Sequence, residues 1–266
     1  MSALGFIGGG LMATAIIKGL LKQGYAAERF IVSDPDAMRR EILGELGIET
    51  FQDNREMLIA LENKEAEGII LAVKPQVVKE ALKDLKIPDL PLLSIVAGFP
   101  VSSLETLFPR AKVLRAMPNT PALIGEGITA VTAGTRSGEA ELKWARGILS
   151  SLGTVVTITE NLMDAVTGLS GSGPGFVYFF IEALIDGGVL AGLPRQLARE
   201  LTLQTVLGST LMVSKLQEHP AVLRDMVTSP GGTTIAGLTE LELGGVHGQL
   251  MKAVLAATKK SKELGE

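Results

Sequence analysis

Cysteine is absent from the 266 residues. That excludes disulfides, thiolate catalysis and Cys-based metal sites together, and is consistent with a reducing compartment. Histidine is nearly absent. His219 and His247 stand at or near expected helix starts without metal-ligand spacing, and both read as caps or surface residues. Basic blocks are missing too, and with a net charge of -4 this argues against nucleic acid as a partner. No basic flank and apolar h-region open the chain, because Leu4 to Ile7 runs straight into glycines. The longest uncharged run, Ala165 to Ile181, is broken by four glycines and a proline. It does not read as a membrane span, and a cytoplasmic location is expected.

What is present is apolar: 46% hydrophobic against 20% charged residues implies a large core with a soluble exterior, and the length leaves room for two domains. Ala3 to Ile7 is an apolar run ending in Gly8-Gly9-Gly10, and Leu11 to Leu21 reads as a helix. Strand, glycine turn and helix give Gly8-x-Gly10-x-x-Ala13, the spacing of a dinucleotide fingerprint. In it Gly8 permits the turn, Gly10 leaves room for a pyrophosphate, and Ala13 lets the helix pack close. A second strand, Phe30 to Ser33, ends at Asp34, 24 residues after Gly10, where a carboxylate can accept hydrogen bonds from ribose hydroxyls. Asp34 repels a 2′-phosphate, whereas Ser33, Arg39 and Arg40 can help to hold one. Both NADH and NADPH are therefore expected to be usable.

The alternation continues. Strands are expected at Gly68 to Val73, Leu92 to Ala97, Lys112 to Met117, Ile128 to Ala133 and Thr154 to Thr159. Helices are expected from Gln76 to about Leu85 and from Arg136-Ser137 through Leu152. Asn54, after Asp53, is either a helix cap or a side chain reaching the adenosine half. Lys74 before Pro75 is either a catalytic ammonium or a residue positioned by its backbone. From about Glu160 the pattern turns helical, which places an α/β domain with a mostly parallel sheet over residues 1–160 and an all-helical domain over 161–266.

The working centre is expected at Asp164 to Phe176. Three hydroxyls and four glycines crowd between Thr167 and Gly175, and Pro174 sits where a helix begins, a setting that attracts a small anion. The helix from Pro174 to Leu190 is apolar nearly all round and so belongs in a bundle or against another subunit. Its Glu182 and Asp186 read as one wet or ion-paired stripe. A second cluster of hydroxyls and glycines, Thr228 to Thr234, precedes another helix and suits a small zwitterionic or anionic substrate.

These residues closely resemble the pyrroline-5-carboxylate reductase family over essentially the whole length. The motifs are Gly5 to Gly10, Ala72-Val73-Lys74-Pro75, Met117-Pro118-Asn119-Thr120-Pro121, Asp164 through Pro174, Asp186-Gly187-Gly188-Val189 with Gly192-Leu193-Pro194-Arg195, and Ser229-Pro230-Gly231-Gly232. Leu11 and Met226 are apolar where members often carry polar residues. The resemblance implies a Rossmann-type domain followed by a helical dimerisation domain, a homodimer that often joins a larger ring of dimers, and hydride transfer from NADPH or NADH to the C5=N bond of 1-pyrroline-5-carboxylate, giving proline. It implies that Gly8, Gly9, Gly10, Leu11, Met12, Ser33, Asp34, Asn54, Ala72, Val73, Lys74, Pro75, Ala97 and Gly98 hold the cofactor. Glu160, Thr167, Thr233 and Thr234 would surround the substrate, with Thr167 toward the ring nitrogen and the Thr233-Thr234 loop coming from the partner subunit. Two rivals remain: a hydroxyacid dehydrogenase of the same plan, disfavoured because no lysine lies between Pro174 and Leu190, and a non-catalytic nucleotide sensor.

Overall fold

The computed structural model describes residues 2–265. Packing divides them into two units, one running through Ser172 and rejoined from Ala256 onward, the other Gly173–Leu255.

The first unit is built on eight strands: β1 (Ser2–Ile7), β2 (Phe30–Ser33), β3 (Glu49–Phe51), β4 (Glu65–Leu71), β5 (Pro91–Ser94), β6 (Lys112–Met117), β7 (Gly127–Ala133) and β8 (Gly153–Thr157). They form one sheet in the order β3-β2-β1-β4-β5-β6-β7-β8. The first six are parallel, β7 runs antiparallel to β6, and β8 is parallel to β7. The first six follow the dinucleotide-binding order, with the switch point between β1 and β4. The reversal at β7 follows from its short connection. Residues 118–126 are too few for a parallel crossover, which takes a dozen or more. From β7 to β8 the chain does make a crossover, through a helix over residues 139–149.

Helices α1 (Leu11–Lys22), α2 (Ala37–Gly44), α3 (Asn54–Glu62), α4 (Val78–Ala81), α5 (Val101–Leu107) and α6 (Glu139–Leu149) cover the sheet, and α7 (Met163–Val166) follows β8. Side chains alternate across each strand. Phe6, Val32 and Ile70 face α1 and α6 with Ile16, Ile17 and Ile148, whereas Ile7, Ile31 and Ile69 face α3 and α5 with Met57, Leu61 and Leu104. Both faces are thus covered, which is why the inner strands read as continuous apolar runs.

Several expected bounds shift. The fourth strand starts at Glu65 and stops at Leu71, and the fifth stops at Ser94, freeing Ala72 to Lys74 and Ala97-Gly98 as loop. The helix expected at 76–85 shrinks to a 3-10 turn, Pro75–Val77, and the four-residue α4. Strand β3 carries no apolar run and was not expected.

The second unit holds α8 (Gly173–Leu190), α9 (Arg195–Leu216), α10 (Pro220–Met226), α11 (Thr233–Leu243) and the first half of α12 (Val246–Gly265). Helices α8 and α9 pack on one another, and an Asp186–Arg195 ion pair of 2.9 Å spans their connection. His219 caps α10 by accepting the Ala221 N–H. Within the single chain α8 is largely uncovered, with Phe179 75% and Leu190 90% exposed.

Candidate cofactor cleft and substrate-binding elements

The glycine turn joins β1 to α1. Gly8 sits at φ +99°, donates its N–H to Ser33 O at 2.8 Å, and leaves no room for a Cβ, which would lie 2.7 Å from Ala72 O. Gly9 donates to Asp34 Oδ2 at 2.8 Å. Gly10 caps α1 with extended backbone and no side-chain partner, and the nearest atom to a Cβ there is Arg39 Nη1 at 3.8 Å. The first turn of α1 carries no acidic residue and no side-chain cap, so no side chain of its own offsets the positive end of the helix dipole. A cleft of about 380 Å³ opens there. It is lined by Gly8, Gly10, Leu11, Met12, Asp34 and the Ala72–Lys74 segment, joined by Arg39 and Ile95. A bare helix N-terminus, a glycine cradle and an acidic strand end fit a dinucleotide pyrophosphate and its ribose.

Other expected cofactor residues serve the cleft from behind. Ser33 is fully buried and its hydroxyl donates to Phe6 O at 3.2 Å. Asp34, 3% exposed, takes the Gly9 N–H and Arg39 Nη1 on Oδ2 and the Asp36 N–H on Oδ1. Arg40 donates to the carbonyls of Asp34 and Pro35, so it clamps the loop, and Arg39 and Lys74 are the cationic residues that line the cleft. Asn54 donates from Nδ2 to Ala81 O at 2.8 Å, and Asp53 is the cap of α3. Lys74 precedes the 3-10 turn that Pro75 opens. Gly98, at φ +68°, is pressed beneath Leu264 near the end of α12, whose Cβ would lie 2.7 Å from a Cβ at Gly98.

Glu160 opens the turn after β8. Its Oε1 accepts from Arg115 Nη1 at 2.7 Å and from the Val101 N–H at 3.2 Å, while Oε2 is buried without a partner among the described residues. Arg115, on β6, is 4% exposed. It escaped the sequence reading, although one arginine inside Val113-Leu114-Arg115-Ala116-Met117 was the available signal. Ile95, the other cleft residue not foreseen, carried none. Downstream, residues Thr167–Gly171 form a π-helical turn in which Ser172 N–H reaches back to Thr167 O at 2.9 Å. Such turns cluster at functional sites. A carbonyl only accepts, so the Thr167 hydroxyl donates to Met163 O at 2.9 Å and its lone pairs stay available as acceptors. In the second unit Thr233 and Thr234 open α11 behind Gly232, which provides no side-chain cap.

Residues 160–264 match the family model described as pyrroline-5-carboxylate reductase dimerisation, and residues 3–98 match one described as NADP oxidoreductase coenzyme F420-dependent. A pyrroline-5-carboxylate reductase of Synechocystis is 47% identical, covering 99% of this chain and 98% of its own, and one of Arabidopsis thaliana is 42% identical over 99% and 95%. Among solved structures, Plasmodium falciparum pyrroline carboxylate reductase with NADP bound superposes with TM-score 0.88 at 34% identity, covering 100% of this chain and 98% of that one. A reductive aminase of Aspergillus terreus, with TM-score 0.61 at 19% identity over 98% of this chain and 88% of its own, shares the fold alone. With identity sustained across both units, the chain belongs to the pyrroline-5-carboxylate reductase family of nicotinamide-dependent oxidoreductases.

Proposed function

We propose that this chain performs the family's reaction, reduction of 1-pyrroline-5-carboxylate to proline with NADPH or NADH, using the residues assembled above. The observation that carries this reading is the bare α1 N-terminus over a glycine cradle, in a unit that also holds a carboxylate, Glu160, whose Oε2 lacks a donor among the described residues. Bound in the cleft, the reduced nicotinamide supplies the hydride. The rest falls to the protein: the α1 N–H groups and Gly8 to Met12 hold the pyrophosphate, and Asp34 and Arg39 meet the adenosine ribose.

An imine carbon accepts hydride readily once its nitrogen is protonated. The protein then needs acceptors for an N–H rather than a strong acid. Thr167 and Glu160 suit that demand, because the Thr167 hydroxyl proton is committed to Met163 O and Glu160 Oε2 is an acceptor in want of a donor. The uncapped first turn at Thr233 and Thr234 suits the substrate carboxylate. Catalysis on this reading is positioning and water exclusion. The apolar α8 serves as a subunit interface in a homodimer, in keeping with the dimerisation model that matches residues 160–264, and a ring of dimers in the cytoplasm extends the same reading. The run Glu160–Leu190 is long and apolar enough to cross a membrane by length and composition; its π turn and the Glu182 and Asp186 carboxylates favour an interface between proteins.

The test is oxidation of NADPH and NADH in parallel, followed by nicotinamide absorbance, with and without the cyclic imine. Turnover that needs the imine and yields proline supports the assignment. Absence of imine-dependent oxidation with either nucleotide would sink it.

A further inference from the structure

Glu160 is held in an unusual way for a group that meets a ligand. Both of its donors, the Arg115 guanidinium and the Val101 N–H, fall on the same oxygen, Oε1. Two donors on one oxygen stop the carboxylate from turning over, so Oε2 is kept apart from both. Arg115 is the costly member of this arrangement. It is a 95% buried side chain among the apolar residues Val113, Leu114, Ala116 and Met117 of its strand, and the structure pairs it with this one carboxylate at 2.7 Å. A buried guanidinium is poorly justified by stability, since apolar residues of similar volume are often as good. Val101 opens α5, so the same oxygen also ties the loop after Gly98 to the turn that leads into Thr167.

We propose that Arg115 is a positioning residue of the substrate site, which acts through Glu160 by pinning Oε1 so that Oε2 is presented to the substrate nitrogen. The inference rests on the reading of Glu160 as a substrate group. Arg115 touches neither nucleotide nor imine in this scheme, and its loss acts only while Glu160 carries a carboxylate.

A double-mutant cycle separates the possibilities. Arg115→Met, Arg115→Lys, Glu160→Gln and the double variant Arg115→Met with Glu160→Gln are assayed for KM of the imine, kcat, nucleotide affinity and melting temperature. A charged hydrogen bond of this kind corresponds to about tenfold or more in affinity, so Arg115→Met should raise the imine KM by that factor with nucleotide affinity within about twofold. Arg115→Lys should restore most of the loss. The double variant should be no worse than Glu160→Gln alone. If Arg115→Met does not fold, the double variant removes the buried guanidinium together with its partner charge and carries the comparison with Glu160→Gln by itself. Independent, multiplying effects of the two substitutions, or equal losses for imine and nucleotide, overturn the proposal while leaving Glu160 as a substrate group. An unchanged imine KM in Glu160→Gln overturns the reading of Glu160, and this inference with it.

Discussion

At the scale of single residues, the side chains of the cleft hold its loop together before any ligand is present. Asp34 is spoken for on both oxygens, by Gly9, Asp36 and Arg39, before any ribose arrives. Asp34→Ser therefore removes both a ribose acceptor and the anchor of the glycine turn. NADH affinity should fall about tenfold or more and NADPH affinity less, because a repelling charge beside the 2′-phosphate goes too. Parallel nucleotide titrations give the ratio, and an unchanged ratio would remove Asp34 from the ribose site. Thr167 poses a cleaner case. Thr167→Val keeps the shape but removes the acceptor, and should raise the imine KM about tenfold, whereas Thr167→Ser stays near the parent. A Val variant with native KM would place the substrate elsewhere. The glycine spacing and Asp34 were legible in the sequence because a positive φ and a bare helix start demand particular residue types. The inward turns of Ser33 and Asn54 were not, since a hydroxyl or amide bonded to a distant carbonyl leaves no local pattern.

At the scale of elements, the strands with apolar runs were readable, the four-residue β2 and β5 included, and the three-residue β3 was not. β3 is held by pairing to β2 through three residues with one apolar side chain among them, so its place comes from the sheet rather than from its own composition. The direction of β7 needed only the length of its connection. Helix α6 shows a local rule at work: Glu141, its third residue, accepts the Gly138 N–H at 2.8 Å and pairs with Lys112 on β6 at 2.9 Å. Its carboxyl is lowered to about 2, first by the Gly138 N–H and then by Lys112, and the Lys112 ammonium is raised chiefly by Glu141. A depressed carboxyl stabilises the fold at pH above its unfolded value of 4.5, and that contribution is lost as pH falls toward about 2. Glu141→Gln should thus lower the melting temperature at neutral pH and converge on the parent as the pH is taken down through that window. A gap of constant size across the window would contradict the assignment.

At the scale of the whole molecule, a helix apolar on all sides is stable only when something covers it, and α8 leaves Tyr178, Phe179 and Leu190 exposed within one chain. If a second copy covers it, Phe179→Glu should yield a folded monomer by sedimentation, with nucleotide affinity retained by the first unit and imine reduction lost. A dimer of native stability would show that this face lies outside the interface. The proposal that Thr233 and Thr234 act across the dimer makes a sharper demand. Glu160→Gln and Thr234→Val each impair both sites of their own homodimer. In a mixed dimer with sites shared across the two-fold axis, one site collects both substitutions and the other collects neither. Random exchange of equal amounts should then recover about a quarter of the parent activity, since half the dimers are mixed and each holds one intact site. If Glu160 and Thr234 of one chain serve the same site, every site in every mixed dimer carries a lesion and mixing restores nothing. The assay thus reads the topology of the active site directly from an activity measured before and after subunit exchange.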